Sequence, residues 1–252
     1  EGAKKAETFY RSILDSEISI LSSAKAAEAV KIIENTFRDI NIAYVNELAM
    51  SFDELDIDLM EVLEGASTKP FGFMPFFPGC GVGGHCIPVD PYYLIHTAQE
   101  NGFTHHFLNL SREINNNMPN YTIKQLKSAF EEAGMKMDDS TIGILGLAYK
   151  GGVDDLRESP ALKIAVELEN MCPNIKIFDP YLPDESTEKD LDSIIKSSEC
   201  LLILTDHPEF KNLDVEKIKT TDVKIIVDGK NILDKNLVKN AGIAYRGIGR
   251  GK

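Results

Sequence analysis

The chain has 252 residues, 43% of them hydrophobic and 27% charged, with a formal net charge of -13. That length and balance suit a soluble globular chain of one large or two ordinary domains, while the acidity argues against nucleic acid as the principal partner, since phosphate backbones call for clustered Lys and Arg. With no long apolar run and no signal-like leader in the sequence, no membrane span is expected and the cytoplasm is the default compartment.

A mixed helical stretch at 4–14 and a short apolar run at 18–21, a candidate strand, open the chain. Ser22 or Ser23 is a good N-cap, and the absence of Gly and Pro over 24–50 predicts one long helix there. Val30, Ile33, Phe37, Ile40, Tyr44 and Leu48 recur at three and four, predicting a continuous buried face. Lys31, Asn35 and Arg38 share a different side. A solvated polar face is the ordinary reading of such a stripe; a receptor for an anionic or hydroxyl-rich ligand is the other. A helix of about 40 Å exceeds what one small domain needs and suits a spine or a dimer interface.

A short helix is expected at 52–63, then a loop at 65–76. Phe71, Phe73, Phe76 and Phe77 would be costly if all exposed, so they are expected to pack on a partner or ligand. The loop leads into Phe77-Pro78-Gly79-Cys80-Gly81-Val82-Gly83-Gly84-His85-Cys86-Ile87-Pro88-Val89-Asp90-Pro91. Glycines this dense expose backbone N–H groups and let a ligand approach the main chain. Cys86 at their end is a candidate nucleophile, with Asp90 four residues on. A Gly/Pro surface turn with an incidental thiol explains the same residues. The four cysteines (80, 86, 172 and 200) form no CxxC pair, as suits reduced thiols, and no second Cys/His pair stands at ligand spacing from His85 and Cys86, so no metal is expected.

Helices follow at 92–101 and 107–117, with a separate one after Pro119 at 120–133 that Gly134 ends. From residue 140 the texture changes. Strand-like runs at 141–147, 175–180, 200–205, 223–229 and 243–246 alternate with helices at 161–169 and 190–197, the first capped by Ser159-Pro160. The fold class is therefore α/β: a central all-helical region followed by a doubly wound parallel sheet, whose ligand lies off the carboxyl ends of the strands. The loops there carry Tyr149, Lys150, Arg157, Asp179, Asp206, His207, Asp228 and Lys230, and a phosphate or nucleotide is the expected ligand. No G-x-G-x-x-G follows any of these strands, so the sheet lacks the dinucleotide-binding fingerprint.

Taken together, Ala27-Glu28-Ala29-Val30-Lys31-Ile32-Ile33-Glu34-Asn35, Asn46-Glu47, the stretch from Gly81 to Pro91, Gly146-Leu147-Ala148-Tyr149-Lys150 with Asp155-Leu156-Arg157-Glu158-Ser159-Pro160, Asp179-Pro180 and Val227-Asp228-Gly229-Lys230-Asn231 resemble, in order, the UDP-glucose/GDP-mannose dehydrogenases. The resemblance runs over nearly the whole chain from Ser23. It implies a nucleotide-sugar 6-dehydrogenase that oxidises a sugar alcohol to a carboxylate with two NAD+, working as a homodimer through the helix at 24–50. It also implies that residues 1–23 end an N-terminal NAD-binding domain that is otherwise missing, that 24–137 form the helical dimerisation and catalytic domain, and that 138–252 form a Rossmann-like UDP-binding domain.

Carried over residue by residue, the resemblance makes Cys86 the nucleophile that forms a thiohemiacetal and then a thioester. Lys31 and Asn35 would hold the oxyanion or water, and Asp90 would position or deprotonate that water. Arg38, Phe76, Phe77, Pro78, Gly79, Cys80 and Gly83 would wrap the sugar and diphosphate, Tyr149, Lys150 and Lys230 the UDP, and Arg157 the cofactor. Lys230 stands where many relatives carry arginine, and lysine lacks the bidentate fork. Cys80 replaces a usual proline, which raises the hypothesis of an inactivating Cys80–Cys86 disulfide; oxidant sensitivity unchanged in Cys80→Pro would remove it. The Phe-rich loop is similar to the UDP-N-acetylhexosamine branch, N-acetylglucosamine ranking ahead of N-acetylmannosamine, with UDP-glucose as an alternative. For the chain alone, a non-catalytic UDP-sugar-binding and dimerisation module is the competing reading.

Overall fold

A computed structural model of the chain describes residues 1–251. Helix α1 (Gly2–Arg11) buries none of its residues, and the apolar run at 18–21, expected as a strand, is coil with Ile20 and Leu21 exposed. No neighbouring strand pairs with this segment.

Helix α2 (Ala24–Leu55) begins where Ser23 accepts a hydrogen bond from the Ala26 N–H, and it ends at Asp56 in a left-handed turn. It runs past the expected end at 50 and absorbs the start of the helix expected at 52–63. Helix α3 (Leu59–Ser67) follows, capped by Asp58. The buried face of α2 is not the expected one. Val30, Ile33, Phe37 and Tyr44 are exposed, while Asn35, Thr36, Asp39, Ala43, Asn46, Ala49 and Asp53 are buried. The polar stripe takes the interior because helix α5 (His106–Glu132) gives Asp39, Asn46 and Asp53 partners and Asn35 meets Asp90, while the Thr36 hydroxyl and Asp39 Oδ2 are left without one.

Helix α4 (Asp90–Glu100) precedes α5, and α5 is one helix where two were expected. Pro119 lies inside it, unable to donate to the Asn115 carbonyl, a defect that costs about 3 kcal/mol in an isolated helix. Burial on both sides of the proline offsets it: Met118, Tyr121, Thr122, Ile123 and Leu126 are all interior.

The sheet contains β1 (Ile142–Leu145), β2 (Ile175–Phe178), β3 (Cys200–Ile203), β4 (Ile225–Asp228) and β5 (Ala244–Gly247), all parallel in the order β2-β1-β3-β4-β5. Helices α6 (Pro160–Met171), α7 (Leu191–Lys196), α8 (Pro208–Lys211), α9 (Val215–Ile218) and α10 (Lys235–Asn240) flank it. Alternate strand residues face two cores. Ile142, Ile144, Leu202 and Val227 pack against α6 and the second half of α5; Leu145, Leu201, Ile203 and Ile226 pack against α7 to α10. Helix α5 thus packs in both regions, and the division expected at 137/138 falls after its end, in the short turn Met137–Asp139.

The tail after β5 closes the junction. Asp53 of α2 accepts hydrogen bonds from Tyr121 Oη, Gln125 Nε2 (3.1 Å), Gly249 N–H (3.2 Å) and Gly251 N–H (3.0 Å). Gly249 has φ 72°, and an added Cβ would lie 2.7 Å from Ala49 Cβ, so only glycine lets the tail lie on α2.

Candidate active site

The glycine stretch crosses from α3 to α4 along the edge where the helical region meets the carboxyl ends of the strands. Its middle is held from both sides. Asn46 Oδ1 accepts the Gly79 N–H at 3.0 Å, and the Gly229 carbonyl after β4 accepts the Cys80 N–H at 3.2 Å. The Arg157 carbonyl accepts the Gly84 N–H at 2.9 Å. The glycines answer to this packing: a Cβ on Gly83 would meet Tyr149 Cβ at 2.6 Å and Pro160 Cδ at 2.9 Å, and one on Gly84 would meet the Tyr149 ring at 2.8 Å. Close approach does require glycine here, but the approaching group at Gly83 and Gly84 is the loop after β1.

That loop is itself braced. Asp179, fully buried at the end of β2, accepts from Leu147 N–H (2.8 Å), Ala148 N–H (3.0 Å) and Tyr181 N–H (2.9 Å), and faces His207 Nε2 at 3.1 Å. Burial works against its charge, yet the hydrogen bonds from His207 and the three N–H groups prevail and hold its carboxyl below the usual range. Asp206 accepts the Gly151 N–H at 2.9 Å, and His207 Nδ1 accepts the Gly152 N–H at 3.0 Å. The backbone donors that a dinucleotide diphosphate would need at this strand end are therefore occupied, and α6 is already capped by Ser159. The described residues do not fit a dinucleotide at this sheet.

After β4, the buried Asp228 accepts from Lys230 N–H (3.1 Å) and Leu233 N–H (2.8 Å), and Asn231 adopts φ 53°. This turn sets Lys230 on a cleft of about 470 Å³, whose other walls include Phe77, Pro78, Gly79, Gly81 and Asp206. The cleft joins five of the residues expected to hold the substrate or lying beside them. Tyr149 lies partly buried against Gly83 and Gly84, and Lys150 is exposed.

Cys86 is exposed, whereas Cys80, Cys172 and Cys200 are buried. Its Sγ lies 3.9 Å from His85 Nδ1, and its carbonyl accepts the Asp90 N–H at 2.8 Å, starting α4 one turn away. Asn35 Nδ2 donates to Asp90 Oδ2 at 2.5 Å, and Arg38 donates to Asn35 Oδ1. The structure thus brings Asn35, Arg38 and Asp90 together from α2 and α4. Lys31 sits one turn earlier on α2, exposed and 3.4 Å from Glu34 Oε2, an acidic partner that the expected polar stripe left out. Arg157, also exposed, pairs with Asp155 at 2.6 Å, which lowers the Asp155 carboxyl to about 2. Burial pushes the Cys80 thiol up, and its Sγ points to the Leu204 carbonyl at 3.5 Å; both speak against a disulfide with the exposed Cys86. Phe76 rests edge-on against Phe37 at 5.8 Å, while Phe71 and Phe77 are exposed.

Sequence reasoning missed the groups that hold the loops: Asp39, Asn115, Arg112 and the bracing roles of Asp179, Asp228 and His207. Three consecutive asparagines at 115–117 inside a helical segment were the available signal, since unpaired amides there are unfavourable.

Among known proteins, the chain matches the family description UDP-glucose/GDP-mannose dehydrogenase, central domain, over residues 25–117, and the UDP binding domain of that family over 143–235. It is 41% identical over 252 residues to a UDP-N-acetyl-D-mannosamine dehydrogenase of Pyrococcus horikoshii, covering 100% of this chain and 58% of that protein. It is 37% identical over 239 residues to a UDP-N-acetyl-D-glucosamine 6-dehydrogenase of Salmonella typhi, covering 92% of this chain and 56% of that one. A solved UDP-D-ManNAc dehydrogenase structure from Pyrococcus horikoshii superposes with a TM-score of 0.89 at 41% identity, over 98% of this chain and 57% of that chain. The chain therefore spans less than three fifths of the length of these relatives.

Proposed function

Since the chain belongs to the UDP-glucose/GDP-mannose dehydrogenase family, we propose that it supplies the sugar-binding and thiol chemistry of an NAD-dependent UDP-N-acetylhexosamine 6-dehydrogenase. The observation that carries this reading is the exposed Cys86 on the same loop as a cleft containing Lys230, one helical turn from an Asp90–Asn35–Arg38 chain. The 41% relative is named for UDP-N-acetyl-D-mannosamine and the 37% relative for UDP-N-acetyl-D-glucosamine, and on that difference in identity we rank UDP-N-acetylmannosamine ahead, against the order drawn from the Phe-rich loop.

In this reading the Cys86 thiolate adds to the C6 aldehyde: a C–S bond forms, and the carbonyl π pair moves to oxygen, where Lys31 and Asn35 stabilise it. Lys31 is available because an exposed pair with Glu34 holds it only weakly. At the thioester stage Asp90 takes a proton from water as that water attacks the acyl carbon, and the thiolate leaves. Asn35, donating to Asp90, keeps the carboxylate aimed. Both oxidations need a hydride acceptor that the described residues do not hold. Arg157, exposed beside Gly84, is available to a cofactor bound elsewhere.

The test has two arms. Calorimetry of the chain as it stands should show UDP binding, with no NAD+ reduction in the presence of UDP-sugars. A longer form carrying the further length its relatives have should reduce two NAD+ per sugar, fastest with UDP-N-acetylmannosamine in a panel of UDP-sugars. No reduction with any UDP-sugar would sink the dehydrogenase reading and leave the binding module, which the occupied donors after β1 favour for the chain alone.

We also propose a homodimer through α2. Its exposed Phe37 and Tyr44 line one groove with Phe73 and Met74, and with the exposed Val30 and Ile33 earlier on the helix they offer apolar surface that a second copy would cover. Sedimentation as a monomer at micromolar concentration would refute it.

A further inference from the structure

The hydrogen bond that holds Gly79 is the end of a buried polar chain with only one possible polarity. Arg112 Nη1 donates to Asp39 Oδ1 at 2.5 Å, and Asp39, a carboxylate, presents acceptors alone. Asn115 must therefore turn its amide NH2 toward Asp39, and does so at 2.8 Å to Oδ1 and 3.0 Å to the Asp39 carbonyl. That leaves Asn115 Oδ1 facing Asn46, which donates to it at 2.9 Å. Asn46 Oδ1 is then the atom facing the loop, and it accepts the Gly79 N–H at 3.0 Å. Asn46 and Asn115 are 0% and 1% exposed, so water cannot substitute for the link between them, while the link to the half-buried Gly79 lies nearer the surface.

We propose that Asn46 is a positioning residue for the nucleotide-sugar clamp, its acceptor oriented by the Asp39 carboxylate through Asn115. The inference rests on the reading of the cleft as a UDP-sugar site. Asn46 touches no substrate. It fixes the one N–H at Gly79 while the Gly229 carbonyl fixes the next at Cys80, so the loop is suspended between α2 and the turn that carries Lys230. The Gly79 N–H, spent on Asn46, is then not a donor to the diphosphate.

Hydrogen exchange and UDP titration of the chain as it stands test this. In Asn46→Ala, amides across 76–83 should exchange at least about tenfold faster, with those of β1 and β3 unchanged, and the UDP Kd should rise about tenfold, the order expected for one hydrogen bond. In Asn46→Asp, a protonated carboxyl reproduces both bonds, its OH donating to Asn115 Oδ1 and its carbonyl oxygen accepting from Gly79. Burial beside Asn115 Oδ1 and near Asp39 raises such a carboxyl. UDP affinity of Asn46→Asp should therefore match that of the unaltered chain at pH about 5.5 and fall away by pH about 8, relative to the unaltered chain at each pH. If Asn46→Ala does not fold, this profile decides alone. Unchanged exchange at 76–83, an unchanged UDP Kd in a folded Asn46→Ala, or an Asn46→Asp profile parallel to that of the unaltered chain would overturn the proposal. Failure of the unaltered chain to bind UDP would instead reject the nucleotide-sugar reading, the exchange arm still deciding whether Asn46 holds the loop.

Discussion

Arg112→Ala lowers the unfolding free energy by about 3–5 kcal/mol, the cost of leaving a buried charge without its partner. Arg112 is 4% and Asp39 1% exposed, and no other cation faces Asp39 in the hydrogen-bond chain. The guanidinium also donates to Asn116 Oδ1 at 2.7 Å and lies over the Tyr92 ring at 5.8 Å, so its loss unties α4 from α5 as well. For a chain of this size the change corresponds to a Tm drop of roughly 6–20 °C. Burial pushes the Asp39 carboxyl up, and Arg112 opposes that push by its charge and its hydrogen bond. Without Arg112 the carboxyl climbs further. A group whose folded pKa is raised stabilises below its unfolded value and loses that contribution as pH rises through the folded value. The deficit of Arg112→Ala is therefore largest near neutral pH and shrinks as pH falls below about 4, where Asp39 becomes protonated in both states. Chemical denaturation at several pH values reads this directly. A deficit below about 1 kcal/mol at pH 7 would mean that the pair behaves as an exposed one. Arg112→Met combined with Asp39→Asn should recover part of the loss, because no unpaired charge then remains inside.

The parallel sheet was legible because its central strands β1, β3 and β4 are short apolar runs followed closely by Gly, Asp or Thr, a pattern that a strand covered on both faces requires. The long helix was legible from its cap and its freedom from Gly and Pro. Its buried face was not. Periodicity assigns the interior to Val30, Ile33, Phe37 and Tyr44, but a stripe of Asn, Asp and Thr wins when another helix brings complementary amides and a guanidinium, and that pairing spans 69 to 76 residues of sequence. The apolar stripe, expected to be buried, is exposed in the chain at these four positions. The continuity of α5 through Pro119 escaped for the same reason, since local propensity counts the lost hydrogen bond and not the two cores that the helix joins. At the site, Cys86, Asp90 and Asn35 could be picked out by residue type, spacing and resemblance. The roles of the glycines could not, because whether a ligand or Tyr149 fills the space over Gly83 and Gly84 depends on a loop more than sixty residues later.

On the mechanism proposed above, Cys86→Ala should abolish formation of the acid by a longer, NAD+-competent form of the protein, by at least about a thousandfold, because the other three cysteines are buried. The thiol acts only once an aldehyde exists, so the first oxidation survives in this variant and the aldehyde can be trapped by a hydroxylamine. A serine at the same place has a hydroxyl far too weakly acidic to add at a comparable rate, and neither Lys31 nor Asp90 is placed against it as a general base in the described contacts. The same residue can be examined in the chain alone. Of four cysteines, three are buried, and burial raises the thiols of Cys80, Cys172 and Cys200. A small alkylating reagent should therefore modify one thiol rapidly, Cys86→Ala should remove that phase, and UDP-N-acetylmannosamine should slow it by covering the loop. Two fast thiols would mean that the glycine stretch opens and exposes Cys80. Full turnover to the acid in Cys86→Ala would exclude thioester chemistry at this site, whatever the cleft binds.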